Sequence, residues 1–97
     1  MRFEIELTDE AVADFKALKA LWRVAVKDAM EVHLRHEPEK VSRSRIKRLR
    51  ELSKPQFRLR VEDIRVFYDV EKSTVTVHAI VLKSEAASWL AQFGESK

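Results

Sequence analysis

Three arginines sit at spacings suited to work on a phosphate: Arg58 and Arg60 two residues apart, and Arg65 five further on. Guanidinium is planar, permanently charged and bidentate toward phosphate oxygens. In a strand Arg58 and Arg60 share a face, and a short hairpin sets Arg65 beside them on the next strand. The cluster is expected to be open to a ligand, since unpaired guanidinium groups are not left buried in a core. Other chemistries are poorly provided for. Without Cys, thiolate zinc sites, disulfides and thiol nucleophiles are excluded. His33 and His36 are three apart, but no third ligand accompanies them, so neither a metal nor any other cofactor is expected. His78 reads as a satisfied sheet histidine, or as a general base if its face allows. Tyr68 reads as a core or hairpin residue, and Glu62 and Asp63 as turn or salt-bridge residues.

Charge sharpens this picture. Of 97 residues, 45% are hydrophobic and 36% charged, with a net charge of +3. From Lys40 to Arg65 there are ten basic residues against three acids, a net +7, and the remainder carries −4. A single-sign field over part of a small surface steers polyanions toward it. Nucleic acid is the first candidate, because phosphate contacts supply most of its binding free energy; an acidic protein segment would use the same field.

These residues must be held by a small scaffold. The length suits one domain spanning residues 1–97. Arg2 to Leu7 alternates as a half-buried strand. Thr8 reads as a helix N-cap, with Asp9 and Glu10 favouring the positive helix end. Val12, Phe15, Leu18 and Trp22, then Val26, Ala29, Met30, His33 and Leu34, mark one apolar helical face. So long a helix is improbable here, and a break near Lys19–Leu21 predicts an antiparallel pair ending near Pro38. Val41 to Leu52 is ambiguous between a short helix and an irregular arm. Phe57–Val61, Ile64–Val70 and Thr74–Leu82 read as a three-strand meander, joined by Glu62-Asp63 and Glu71-Lys72-Ser73. A last helix carries Ala86, Trp89, Leu90 and Phe93 on one face and stops at Gly94. Trp22 and Trp89 both read as core residues. The class is α+β: an N-terminal strand, two helices packed on one face of an antiparallel sheet, and a short C-terminal helix. The opposite face would carry the arginines. No apolar stretch is long enough to span a membrane, acids occupy the place of a signal peptide's apolar region, and a cytoplasmic protein is expected.

The run Ile46-Lys47-Arg48-Leu49-Arg50, followed by Phe57-Arg58-Leu59-Arg60-Val61-Glu62-Asp63-Ile64-Arg65-Val66-Phe67-Tyr68-Asp69-Val70, resembles the central signature of the RelE/ParE superfamily. Val75-Thr76-Val77-His78-Ala79-Ile80-Val81 resembles that family's last strand. These are toxins of type II toxin–antitoxin modules. The resemblance implies a RelE-like fold and a protein antitoxin as partner. It also implies one of two activities: cleavage of messenger RNA on the ribosome by 2′-OH attack, or, as in ParE-like members, inhibition of DNA gyrase without nuclease chemistry. A non-toxic remnant that binds only an antitoxin-like segment is a third possibility.

On the RNA-cleaving side the resemblance implies catalytic roles for Arg58, Arg60 and Arg65, with Lys83 standing where relatives have an arginine. Lys47, Arg48, Arg50 and Lys54 would position RNA phosphates, the first three with antitoxin contact as an alternative. The family's C-terminal Tyr or His, which moves a proton, is replaced by Trp89, whose indole is no acid or base at neutral pH.

Overall fold

The computed structural model describes residues 1–97. The chain runs β1 (Glu4–Leu7), α1 (Asp9–Ala17), α2 (Ala20–Leu34), β2 (Ile46–Arg48), β3 (Leu52–Lys54), β4 (Phe57–Val61), β5 (Ile64–Glu71), β6 (Thr74–Leu82), α3 (Lys83–Phe93) and β7 (Glu95–Ser96). Five strands form one sheet in the order β1-β6-β5-β4-β2, and β3 and β7 pair separately. The class is α+β, as the element pattern implies.

The helix pair breaks where expected, at Leu18 and Lys19, both in extended backbone. The break is built without Gly or Pro: the Leu18 N–H bonds the Phe15 carbonyl and the Arg23 guanidinium bonds the Leu18 carbonyl, so the polar groups freed there are partnered. Thr8 caps α1 through its side chain, which accepts from the Ala11 N–H at 3.2 Å.

Two expectations are corrected. Residues 41–52 form neither a helix nor an irregular arm throughout: Ile46–Arg48 pairs antiparallel with β4 as an edge strand, and Leu52 begins the strand that pairs with β7. Ile46 is buried opposite Leu59, and that single anchoring side chain suits a short strand, too brief for an alternation pattern to register. The sheet is also mixed and not purely antiparallel, because β1 lies parallel to β6. The two helices between them supply the crossover that a parallel pair requires.

One face of the sheet packs on α1 and α2. Ala11, Val26, Met30 and Leu34 from the helices meet Leu59, Val66, Tyr68, Val75 and Val77 from the strands. Tyr68 is wholly buried, stacks on Phe57 at 5.4 Å between centroids, and donates its hydroxyl to the Pro38 carbonyl. The loop after α2 is thereby tied to the core. Phe67 and Ala79 are equally buried but lie on the opposite face, outside that core. There α3 packs over β5 and β6, and Trp89 lies on Phe67, centroids 5.1 Å apart and planes 4° off parallel.

The β5–β6 ladder contains a bulge. Tyr68 faces Val77 but Phe67 faces Ala79, leaving His78 as the extra residue. His78 Nε2 meets Asp69 Oδ2 at 2.7 Å, and Asp69 Oδ1 accepts the Gln56 N–H at 2.7 Å. Gln56 Oε1 in turn accepts the Val70 N–H at 2.9 Å. Asp69 therefore joins the start of β4 to β6 through a strand that lies between them.

Two measurements test these contacts. Tyr68→Phe keeps the ring stack but orphans the Pro38 carbonyl, and should cost about 1–3 kcal/mol in chemical denaturation with an unchanged slope. Burial raises the Asp69 pKa, but the His78 and Gln56 hydrogen bonds outweigh it and leave the carboxyl below its ordinary value. Stability conferred by a depressed carboxylate is complete above the unfolded pKa of about 3.9 and lost as pH falls through the folded value. Thermal midpoints recorded from pH 6 downward should therefore fall in the wild type, whereas Asp69→Asn should start lower and show a flatter acid limb.

Candidate functional site

Alternation along β4 sends Phe57, Leu59 and Val61 to the helix side and Arg58 and Arg60 to the other. The β4–β5 register pairs Arg60 directly with Arg65, and Arg58 with Phe67. The two-residue connection Glu62-Asp63 fixes that register, with Glu62 at φ 53° in the left-handed region. The three arginines are thus brought together on one face at the turn end of the hairpin.

They are not equally exposed. Arg60 is open to solvent and Arg58 half-buried, while Arg65 is only 7% exposed. The expectation that all three would be open is corrected for Arg65. Its Nη1 donates to the Glu62 carbonyl at 2.8 Å and the Ile64 carbonyl at 3.0 Å, so two neutral oxygens satisfy it without cancelling its charge. None of the three is ion-paired with a carboxylate. The Nε of Arg58 is buried with no hydrogen-bond partner. Burial, then the neighbouring Arg65 and Arg60 charges, pull the Arg58 guanidinium below its ordinary pKa. Burial and Arg60 do the same to Arg65, against partial relief from Asp63. Like charges held this close, none of them ion-paired with a carboxylate, make an anion site.

The remaining basic residues divide. Lys47 on β2 registers with Arg58 and lies on the same face, exposed. Lys83 opens α3 at the same end of the sheet, its N–H on the Asp63 carbonyl at 2.7 Å and its ammonium exposed. Arg48 points the other way and lies over the Phe57 ring, 4.9 Å from its centroid. It does not share the arginine face, because it is the next residue along the strand after Lys47 and successive side chains point to opposite faces. Arg50 sits exposed in the turn before β3. Lys54 lies at the far end, in a cavity with His78, Trp89 and Phe93.

Trp89 is not a core residue. It is half-buried on the arginine face, stacked on Phe67 and tilted 39° to Phe93, and α3 contains no buried residue at all. The apolar stripe of a terminal helix looks the same in sequence whether it meets a core or a single aromatic ring. Beside α3 a cavity of about 720 Å³ is lined by Val41, Leu49, Leu52, Ala87 and Leu90, with three basic residues, Lys47, Arg48 and Arg50, against one acid, Glu51. Sequence reasoning gave His78 no partner. Its pairing with Asp69 was hidden because the two are not opposite each other: a bulge leaves His78 outside the β5–β6 register, and it leaves no mark in an unbroken run of β-formers. No group of His, Asp and Glu residues is arranged to hold a metal ion, and no helix is long and apolar enough to cross a membrane.

No protein-family model and no curated protein matches the sequence. Solved structures do match the fold. A chain of the toxin–antitoxin complex RelBE2 from Mycobacterium tuberculosis superposes with a TM-score of 0.72 at 23% identity, over 84% of this chain and 99% of that one. A chain of the archaeal RelE–RelB complex from Pyrococcus horikoshii gives 0.70 at 17% identity, over 86% and 97%. The RelB–RelE antitoxin–toxin complex from Methanococcus jannaschii gives 0.66 at 15% identity, over 87% and 96%. These superpositions give this chain the RelE-like fold.

Proposed function

We propose that this chain is the toxin of a type II toxin–antitoxin pair and that it arrests translation by cleaving messenger RNA on the ribosome. The observation that carries this proposal is the uncompensated cluster of Arg58, Arg60 and Arg65. Three guanidinium groups crowded on one face, with no carboxylate partner, cost stability and suit a bound phosphate.

The chemistry follows from what such a cluster does. The ribose 2′-oxygen attacks the adjacent phosphorus, the P–O5′ bond breaks, and a cyclic phosphate and a 5′-hydroxyl result. The 2′-hydroxyl loses a proton and the 5′-oxygen gains one, so nothing is consumed. Negative charge grows on the non-bridging oxygens in between, and Arg60 and Arg65, opposed across the hairpin, meet it. Arg58 and Lys47 extend the positive face along the strand, and Lys83 adds a mobile charge at its end. Rigid alignment of the 2′-oxygen with the leaving oxygen supplies a further share of the rate.

The antitoxin would dock on the cavity beside α3. Its apolar floor and basic edges fit an amphipathic segment carrying acids. That the similar folds come from antitoxin–toxin complexes supports the same partner.

One observation favours a second activity, inhibition of DNA gyrase. The place where RNA-cleaving relatives hold Tyr or His is occupied by Trp89, and the nearest histidine, His78, belongs to the other end of the face. Pulse labelling after induction separates the two. Early loss of protein synthesis with DNA synthesis intact supports RNA cleavage, and the reverse order supports gyrase.

Arg60 is exposed and its side chain makes no hydrogen bond or ion pair, so Arg60→Ala should fold normally and lose roughly 10²–10³-fold in cleavage, read from transcript ends mapped after brief induction. Arg58→Met should lose activity but raise the thermal midpoint, more at low salt than at high, because a half-buried charge among like charges is removed. Growth arrest by a folded Arg58/Arg60/Arg65 triple-alanine variant would refute the role given to the cluster.

A further inference from the structure

Arg65 carries more donors than its contacts use. A guanidinium has N–H groups on every nitrogen, and those of Nη1 meet the Glu62 and Ile64 carbonyls at 2.8 and 3.0 Å. Nε–H and the Nη2 hydrogens remain. Nε–H and the neighbouring Nη2–H run parallel along one edge of the plane, the side-on fork that fits a pair of phosphate oxygens. Neither nitrogen is sealed away, since the buried side-chain donor that lacks a partner is Arg58 Nε. Holding Nη1 therefore decides where the free fork of Arg65 points.

The hold comes from the turn. Glu62 has φ 53°, where residues other than Gly are uncommon. Right-handed backbone at this place would splay the strands and swing the peptide whose oxygen Arg65 uses. The next turn carbonyl, that of Asp63, accepts the Lys83 N–H at 2.7 Å. Both turn carbonyls thus hold residues that bear a cation. The sheet's other tight turn offers a comparison. Lys72 has nearly the same φ, 55°, but its turn meets the Glu4 N–H through the Ser73 carbonyl and seats no guanidinium. Left-handed backbone closes a hairpin at both places and fixes an arginine at one.

We propose that Glu62 is a positioning residue: its left-handed backbone, and not its carboxylate, aims the carbonyl that turns the free fork of Arg65 toward an anion on the arginine face. The Glu62 side chain is exposed and forms no hydrogen bond or ion pair, so conformation is what this residue contributes. The anion is the scissile phosphate of the RNA-cleaving activity proposed above, on which this role rests. Aim matters to rate more than to binding. The summed field of the arginines draws a polyanion wherever the fork points, whereas charge growing on the non-bridging oxygens must be met at hydrogen-bond distance.

Glu62→Asn and Glu62→Val both remove the carboxylate, but Asn tolerates left-handed backbone and Val does not. Lys72→Val imposes the same conflict at the other turn. Cleavage is followed with the purified chain on ribosomes carrying messenger RNA. Binding is followed with a fully 2′-O-methylated hexaadenylate, which lacks the attacking hydroxyl. Glu62→Val should lower kcat roughly 10–100-fold while leaving the hexaadenylate Kd nearly unchanged. Glu62→Asn should keep the wild-type kcat. Lys72→Val should lower the thermal midpoint as Glu62→Val does and yet keep kcat. In NMR spectra the Arg65 Nη1 hydrogens, each held by a carbonyl, should be resolved in the wild type, Glu62→Asn and Lys72→Val, and merge through rotation in Glu62→Val. Should Glu62→Val not fold, Glu62→Ala strains the same backbone less and takes its place. An equal fall in kcat for Glu62→Asn or Lys72→Val, or Arg65 resonances unaltered by Glu62→Val, would each overturn the inference. A wild type that leaves RNA uncut would instead discard the toxin activity, and the Arg65 resonances, with their shift on adding hexaadenylate, would still decide the positioning role.

Discussion

The β4–β5 hairpin is the constraint on which everything else hangs. Two residues turn the chain, one of them in left-handed backbone, and from that turn the register runs without choice: Arg60 against Arg65, Leu59 against Val66, Arg58 against Phe67, Phe57 against Tyr68. Apolar and basic residues alternate so strictly that each pairing is either oil on oil or charge beside charge or ring. A slip by one residue would bury the guanidinium groups under α2 and expose Leu59 and Val66. The buried face thus enforces the crowding on the other face, and hydrophobic burial offsets a repulsion that Asp63 relieves only in part.

That arrangement separates a strongly charged end from a weakly charged one along a single face. The cationic end has little shape, as long side chains stand at a sheet end with water around Arg60. The opposite end is shaped but weakly charged, with hydrogen bonds running Gln56–Asp69–His78 and a wall of rings. Between them Phe67 and Trp89 form a dry spacer anchored in the sheet. Residues borne on strands hold their spacing better than residues on loops, and every arginine here is borne on a strand.

Much of this was legible in the chain itself. Period-two alternation over Phe57–Val61 gave the arginine face, and the shortness of Glu62-Asp63 gave the neighbour relation of Arg60 and Arg65. The helix break at Leu18 and Lys19 was legible from length alone, since the apolar periodicity runs through it. Other parts were not. Ile46–Arg48 is too short for a period to show, and its strand character comes from pairing with β4, nine to thirteen residues further along the chain. The parallel docking of β1 depends on a crossover, which no local pattern encodes. Trp89 reads as core because a stripe of apolar residues does not say whether it meets many side chains or one. Lys47 and Arg48, adjacent in sequence and alike in type, are parted by the pleat, so composition could not tell which of them joins the cluster.

The bulge in β6 has a further meaning. Its extra residue is what lets an imidazole and the small Ala79 side chain, neighbours in sequence, both face α3. Remove one of the two and the alternation closes up, leaving a single side chain on that face between Val77 and Ile80. The functional repertoire of this surface is therefore set in part by a count of residues, and insertion or deletion in β6 would change it in ways that no exchange of side chains can imitate.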